Sequence, residues 1–72
     1  MGLDRDRVIA DIAEVLFAEP TELTDETELI DLGLDSLRLA TLVQRWRESG
    51  CAVRFAELAE QPTLGAWLAH LT

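Results

Sequence analysis

The chain is poor in several things that would open other functions to it. It has a single cysteine, Cys51, in 72 residues, so no disulfide can form within it. Bases are scarce, 6 against 14 acids for a net charge of −8. Nucleic acid is thereby excluded as a partner, because its phosphates need a basic surface. No apolar run reaches membrane-spanning length, and nothing resembles a signal peptide. The lipidation pattern begun by Met1-Gly2 fails at Asp6, where Ser or Thr is required. A cytoplasmic protein with no membrane partner is the expectation. Length is also short: one small domain has no residues to spare for a deep active-site cavity. A self-contained enzyme is disfavoured.

What is present centres on Gly33-Leu34-Asp35-Ser36-Leu37. Gly33 permits a tight or left-handed turn. Asp35 and Ser36 are both strong helix-start residues. Behind them Leu39, Leu42, Val43 and Trp46 recur at i, i+3, i+4 and i+7, one apolar helical face. The stretch therefore presents a serine hydroxyl at the start of an amphipathic helix, predicted over 36–49 and closed by Gly50. An anion at Ser36 would lie among unpaired first-turn N–H groups, in a field worth roughly 0.3–1 kcal/mol. Asp35 offsets part of that field. Local chemistry leaves two readings open, a plain helix cap and an attachment point for a phosphate.

The rest of the chain reads as helices around one core. The first is predicted over 4–17, with Asp4 as cap and Val8, Ile9, Ile12, Val15 and Leu16 as its apolar stripe. Its charged residues, Asp11 and Glu14 among them, read as solvated surface. The long connection from Ala18 to Asp35 needs anchoring to be stable. Leu23, Leu29, Ile30 and Leu32 are the expected anchors, and 24–28 a short helical turn. Its scattered carboxylates read as solvated rather than as metal ligands. Residues 51–55 are expected to be extended, with Cys51 a small packing residue. The last helix, over 63–71, starts at Thr63 and repeats Leu64, Trp67, Leu68 and Leu71. His70 has no sequence signal placing it near Ser36 and reads as surface, so no catalytic residue is assigned.

On the second helix Leu37, Ala40, Thr41 and Gln44 repeat opposite the core stripe. An exposed leucine beside Ser36 reads as part of a partner-docking surface, with Arg38 and Arg45 flanking it.

Gly33 to Leu37 resembles the phosphopantetheine attachment motif of carrier proteins, in which Gly-x-Asp-Ser-Leu opens the second helix. Leu29-Ile30-Asp31-Leu32 before it and Pro62-Thr63-Leu64 after it extend the likeness over nearly the whole chain. The resemblance implies an all-α bundle of three main helices plus a short one at 56–60, residues 1–72 forming one carrier domain that is monomeric when isolated. It implies that Ser36 is esterified by 4′-phosphopantetheine, added by a phosphopantetheinyl transferase, and that the arm's thiol carries acyl groups. It also places Phe55 and Ala59 on the partner-facing side with the second helix.

Carriers of fatty-acid synthesis usually have an acidic second helix, whereas here the first acid is Glu48. With Arg45-Trp46-Arg47, Val53-Arg54-Phe55, Leu58-Ala59 and Trp67, the chain is most similar to aryl carrier domains of nonribosomal siderophore synthesis. That likeness implies loading by an aryl-adenylating ligase with a salicylate- or 2,3-dihydroxybenzoate-type acid. Delivery would be to a condensation or cyclisation domain. A peptidyl carrier loaded with an amino acid is the alternative within the family. A passive helical interaction module is the alternative outside it.

Overall fold

A computed structural model describes residues 3–72, and Met1 and Gly2, where the lipidation pattern begins, lie outside it. Four helices are formed: α1 (Arg5–Leu16), α2 (Ser36–Glu48), α3 (Phe55–Glu60) and α4 (Leu64–Leu71). Two 3₁₀ turns, Pro20–Glu22 and Leu29–Leu32, interrupt the α1–α2 connection. No strand occurs among the described residues. The all-α bundle expected from the resemblance is the fold.

Helix ends fall within a residue of expectation, for identifiable reasons. Asp4 precedes α1 without a side-chain cap bond, and Phe17 closes that helix in the left-handed conformation (φ 55°). α2 ends one residue early because Ser49 is its C-cap. Thr63 lies outside α4, where its side chain accepts from the Ala66 N–H as a cap. α3 begins at Phe55, one residue before the expected start, after the Glu57 carboxylate accepts the Arg54 N–H at 3.2 Å.

The core is a single apolar cluster. Trp46, Trp67, Ile12, Leu29, Leu42, Leu58, Leu64 and Leu71 are all fully enclosed. The two indoles meet edge to face, their centroids 6.0 Å apart, a favoured aromatic geometry. Each indole N–H is satisfied, Trp67 by the Leu58 carbonyl at 3.0 Å and Trp46 by Asp11 at 2.8 Å. Asp11 is thus not solvated surface: its side chain is only 15 % exposed and also accepts from Arg45. The sequence pattern missed it because a buried indole needs an acceptor from another helix, which helical periodicity does not specify.

The α1–α2 connection is strapped to the start of α4. Glu28 and Thr63 form an isolated antiparallel bridge, and Leu29 donates to the Pro62 carbonyl at 2.9 Å. Leu64 and Gly65 donate to the carbonyls of Thr27 and Asp25. A Cβ on Gly65 would stand 2.8 Å from the Asp25 oxygen, so this approach requires glycine. Leu23, Leu29 and Leu34 anchor the connection in the core. Ile30 does not: it is 59 % exposed. Successive residues of a tight turn point in different directions, and Leu29 takes the inward one. The expected turn over 24–28 is smaller, a Thr24 to Thr27 turn closed by a backbone bond of 3.0 Å.

Candidate functional site

The segment before α2 is built to present its first residue. Gly33 closes the second 3₁₀ turn at φ 103°, a conformation that favours glycine. Leu34 then inserts into the core and donates its N–H to the Leu29 carbonyl at 3.1 Å. With Leu34 fixed, Asp35 lies extended at the N-cap, and its carboxylate accepts the Arg38 N–H at 2.8 Å. The capping role falls on Asp35 alone. Ser36 becomes the first helical residue, exposed, its hydroxyl taking no part in the cap.

That hydroxyl borders an apolar cleft of about 190 Å³, walled by Ile30, Leu34, Leu39, Phe55 and Ala59. The cleft brings together Ser36 and two of the residues assigned to the partner side, Phe55 and Ala59. Leu34 and Ile30 were absent from that assignment. The Leu29-Ile30-Asp31-Leu32 run held a usable signal, since a tight turn cannot bury all three of its large apolar residues.

Phe55 also borders a broader groove of about 490 Å³ between α2 and α3, with Ala40, Val43, Gln44, Arg47 and Glu48. Leu37, Ala40, Thr41 and Gln44 are all exposed, as expected of a surface outside the core. Leu37 is 77 % and Phe55 41 % exposed. The Thr41 hydroxyl donates back to the Leu37 carbonyl at 3.0 Å and is turned onto its own helix.

The arginines do not flank this face. Arg45 is turned to α1, with Glu14 at 2.9 Å and Asp11 at 3.4 Å. The hydrogen bond it donates to Glu14, joined by the charges of both carboxylates, holds its guanidinium more firmly protonated than usual. Arg38 lies over the Phe17 ring, 5.7 Å from its centroid, and donates to the Gly33 carbonyl at 3.3 Å. Arg45 is drawn off by α1, and Arg38 by Phe17 at the end of α1 and by the turn before α2, partners that the stripe on α2 alone does not reveal.

Cys51 is half-buried against the core, and His70 is exposed near the end of α4. Among the described residues no His, Cys, Asp or Glu side chains cluster as metal ligands do. None of their helices is long and apolar enough to cross a membrane.

The structure is a small helical bundle with an exposed serine at the start of its second helix, where other proteins can reach it. The chain belongs to the phosphopantetheine attachment site family, whose model matches residues 6–71. It is 51 % identical over 61 residues to an isochorismatase of Bacillus subtilis (strain 168), covering 85 % of this chain and 20 % of that one. It is 48 % identical over 58 residues to the acyl carrier protein ScoB of Streptomyces coeruleorubidus, covering 81 % and 68 %. With the phenyloxazoline synthase MbtB of Mycobacterium sp. (strain MCS) it shares 47 % over 60 residues, 83 % of this chain but 5 % of that protein. The chain therefore spans about a fifth of the first relative and about a twentieth of the third. No solved structure matches it significantly.

The chain is a carrier domain, a non-catalytic module that bears covalent 4′-phosphopantetheine. The site fits such a group: the Ser36 hydroxyl is exposed and free of the cap, and an apolar cleft adjoins it.

Proposed function

We propose that Ser36 bears the 4′-phosphopantetheine and that the domain carries an aryl acid in nonribosomal siderophore assembly. The observation that supports the assignment is the division of labour at the start of α2. Asp35 caps the helix and leaves the neighbouring hydroxyl free. Its oxygen attacks the phosphorus that bears the pantetheine arm of coenzyme A, so that the new P–O bond forms as the pyrophosphate P–O bond breaks and 3′,5′-ADP leaves. The base that takes the proton and the Mg²⁺ come from a phosphopantetheinyl transferase, since among the described residues no activating side chain bonds to it. The first-turn N–H groups of α2 favour the phosphate formed there. Once bound, the arm supplies a thiol that holds the acyl group as a thioester. An aryl-adenylating ligase loads it with a salicylate- or 2,3-dihydroxybenzoate-type acid, and a condensation or cyclisation domain receives it.

Two features support the aryl branch. α2 has no acid before Glu48, unlike fatty-acid carriers. The relative MbtB is named for a phenyl-substituted oxazoline. Leu37, Ala40, Thr41, Gln44, Phe55 and Ala59 form the docking surface in this reading, residues 1–72 act as one monomeric carrier domain, and the cytoplasm, where coenzyme A is at hand, is its location.

The test is intact mass after incubation with coenzyme A and a broad-specificity transferase. Wild type gains one phosphopantetheine, and Ser36→Ala gains none while keeping its helical circular-dichroism spectrum. A mass gain on the folded Ala variant would move the site elsewhere. Loading of the modified wild type by amino-acid ligases, with aryl ligases inactive, would make it a peptidyl carrier.

A further inference from the structure

Phe17 is out of place by two measures. It closes α1 in the left-handed conformation, a position usually given to glycine because a side chain is strained there. It is also 87 % exposed, so burial does not offset the strain. What the ring meets is Arg38, whose guanidinium lies 5.7 Å from its centroid, within cation–π range. The same guanidinium donates to the Gly33 carbonyl at 3.3 Å. A Cβ on Gly33 would stand 3.2 Å from it, so this approach favours glycine there in addition to the φ of 103°. From the other end, the Arg38 N–H is the one that the Asp35 carboxylate accepts at 2.8 Å. Among the described residues outside 33–36, Arg38 alone has a side chain that hydrogen-bonds to that segment.

We propose that Arg38 is a positioning residue for Ser36, braced by Phe17 and acting on the turn that carries the serine. This rests on the carrier reading above and names what aims the hydroxyl of that same site. The chain approaches Ser36 through Gly33, Leu34 and Asp35, with Leu34 anchored in the core. The Arg38 guanidinium holds the residue before Leu34 and its N–H holds the residue after, so one side chain and its own backbone bracket the approach. The Phe17 ring gives the guanidinium a second fixed point, at the end of another helix. Arginine suits the role, because its planar group can lie on a ring face and donate from its edge at once. Arg38 stands two residues past Ser36, about 200° around the helix, and is not among the walls of the cleft. It therefore leaves the hydroxyl open to an enzyme. An attacking oxygen reacts from a near-attack geometry, so play in the turn lowers the rate of attack rather than the affinity for the transferase.

The experiment uses the unmodified domain as the varied substrate of a broad-specificity phosphopantetheinyl transferase at saturating coenzyme A. Wild type, Arg38→Met, Arg38→Lys, Phe17→Gly and the double variant of Arg38→Met with Phe17→Gly are compared, with thermal unfolding of each. Arg38→Met keeps the apolar stem and removes the guanidinium. It should lower kcat about fivefold and change KM less than about twofold, the size that one exposed cation–π contact supports. Arg38→Lys, which keeps a cation over the ring, should restore most of kcat. Phe17→Gly relieves the left-handed strain, so its melting temperature should not fall, yet its kcat should drop about threefold. The double variant should match Arg38→Met, because the ring acts only through the guanidinium. Amide hydrogen exchange reads the turn directly. The Gly33 and Leu34 N–H groups, bonded to the Ile30 and Leu29 carbonyls at 3.0 and 3.1 Å, should exchange faster in Arg38→Met and return toward wild type in Arg38→Lys. A deficit confined to KM would make Arg38 a docking contact and overturn the proposal. So would additive losses in the double variant, unchanged exchange at both amides, or losses of kcat that only track losses of melting temperature. A wild type that takes up no phosphopantetheine defeats the carrier reading and this one with it; a wild type modified no faster than Arg38→Met defeats this one alone.

Discussion

The side of α2 that faces α1 and the side that borders the groove with α3 satisfy their polar groups in opposite ways. Toward α1, the Trp46 N–H, the Arg45 guanidinium and the Arg7 guanidinium all converge on Asp11, with Glu14 as a further acceptor. That side is closed: donors and acceptors are matched and Trp46 is fully buried. Toward the groove, Leu37, Ala40, Thr41 and Gln44 make no bond to another helix, and Arg47 is unpaired among the described residues. One side holds the helix in place. The other is left available for contact. Ser36 stands at the start of the helix, where the first fixes its position and the second leads away from it.

The comparison breaks most visibly if the closed side is opened. Asp11→Ala leaves the Trp46 indole N–H without its acceptor and removes one partner each from Arg7 and Arg45, which keep Ser49 and Glu14. An unsatisfied buried donor costs about 1–3 kcal/mol, against a total stability of roughly 4–11 kcal/mol for a chain of this length. Urea unfolding should show a loss of that size. Asp25→Ala, which removes only an exposed pair with Arg5, should cost less than about 1 kcal/mol. Equal losses from the two would show that the α1 side is no more closed than the rest of the surface.

The converse holds on the groove side. Ala40→Asp and Ala59→Asp add charge at exposed positions next to apolar floor. Unfolding should shift by about 0.5 kcal/mol or less, as for ordinary surface changes. Transfer to at least one partner enzyme should fall about tenfold, equivalent to ~1.4 kcal/mol. The loss should differ among transferase, ligase and condensation partner. Undiminished transfer with all three, from folded variants, would place docking elsewhere.

The two sides were unequally legible in the sequence. The core face of α2 and its start at Ser36 follow from spacing, because the 3.6-residue period and the cap residues are local properties. The exposure of Leu37, Ala40, Thr41 and Gln44 followed from the same period. What spacing does not report is the partner across a helix interface. Asp11 looked like one more surface acid until Trp46 was brought to it, and Arg45 like part of the docking face until Glu14 claimed it. Gly65 gave no local sign that the Asp25 carbonyl would need its missing side chain. Between the two candidate caps, only the backbone could choose: Asp35 is extended at the N-cap and Ser36 already helical.

The smallest expected effect tests whether the boundary between the two sides is structural alone. Cys51 follows α2, and its N–H donates to the Trp46 carbonyl at 3.0 Å, while its side chain packs half-buried against the core. If the thioester thiol belongs to the arm, the sulfur of Cys51 contributes only packing. Cys51→Ala removes one buried heavy atom at a site already partly open to solvent, so the loss of stability should be ~1 kcal/mol or less. The backbone bond to Trp46 is unchanged by the substitution, so the end of α2 should keep its place. The variant should accept phosphopantetheine and an aryl group as wild type does, measured by intact mass at each step. A folded variant that gains the arm but is not loaded would give this thiol a part in the chemistry. The closed side would then have to be redrawn to include a reacting group.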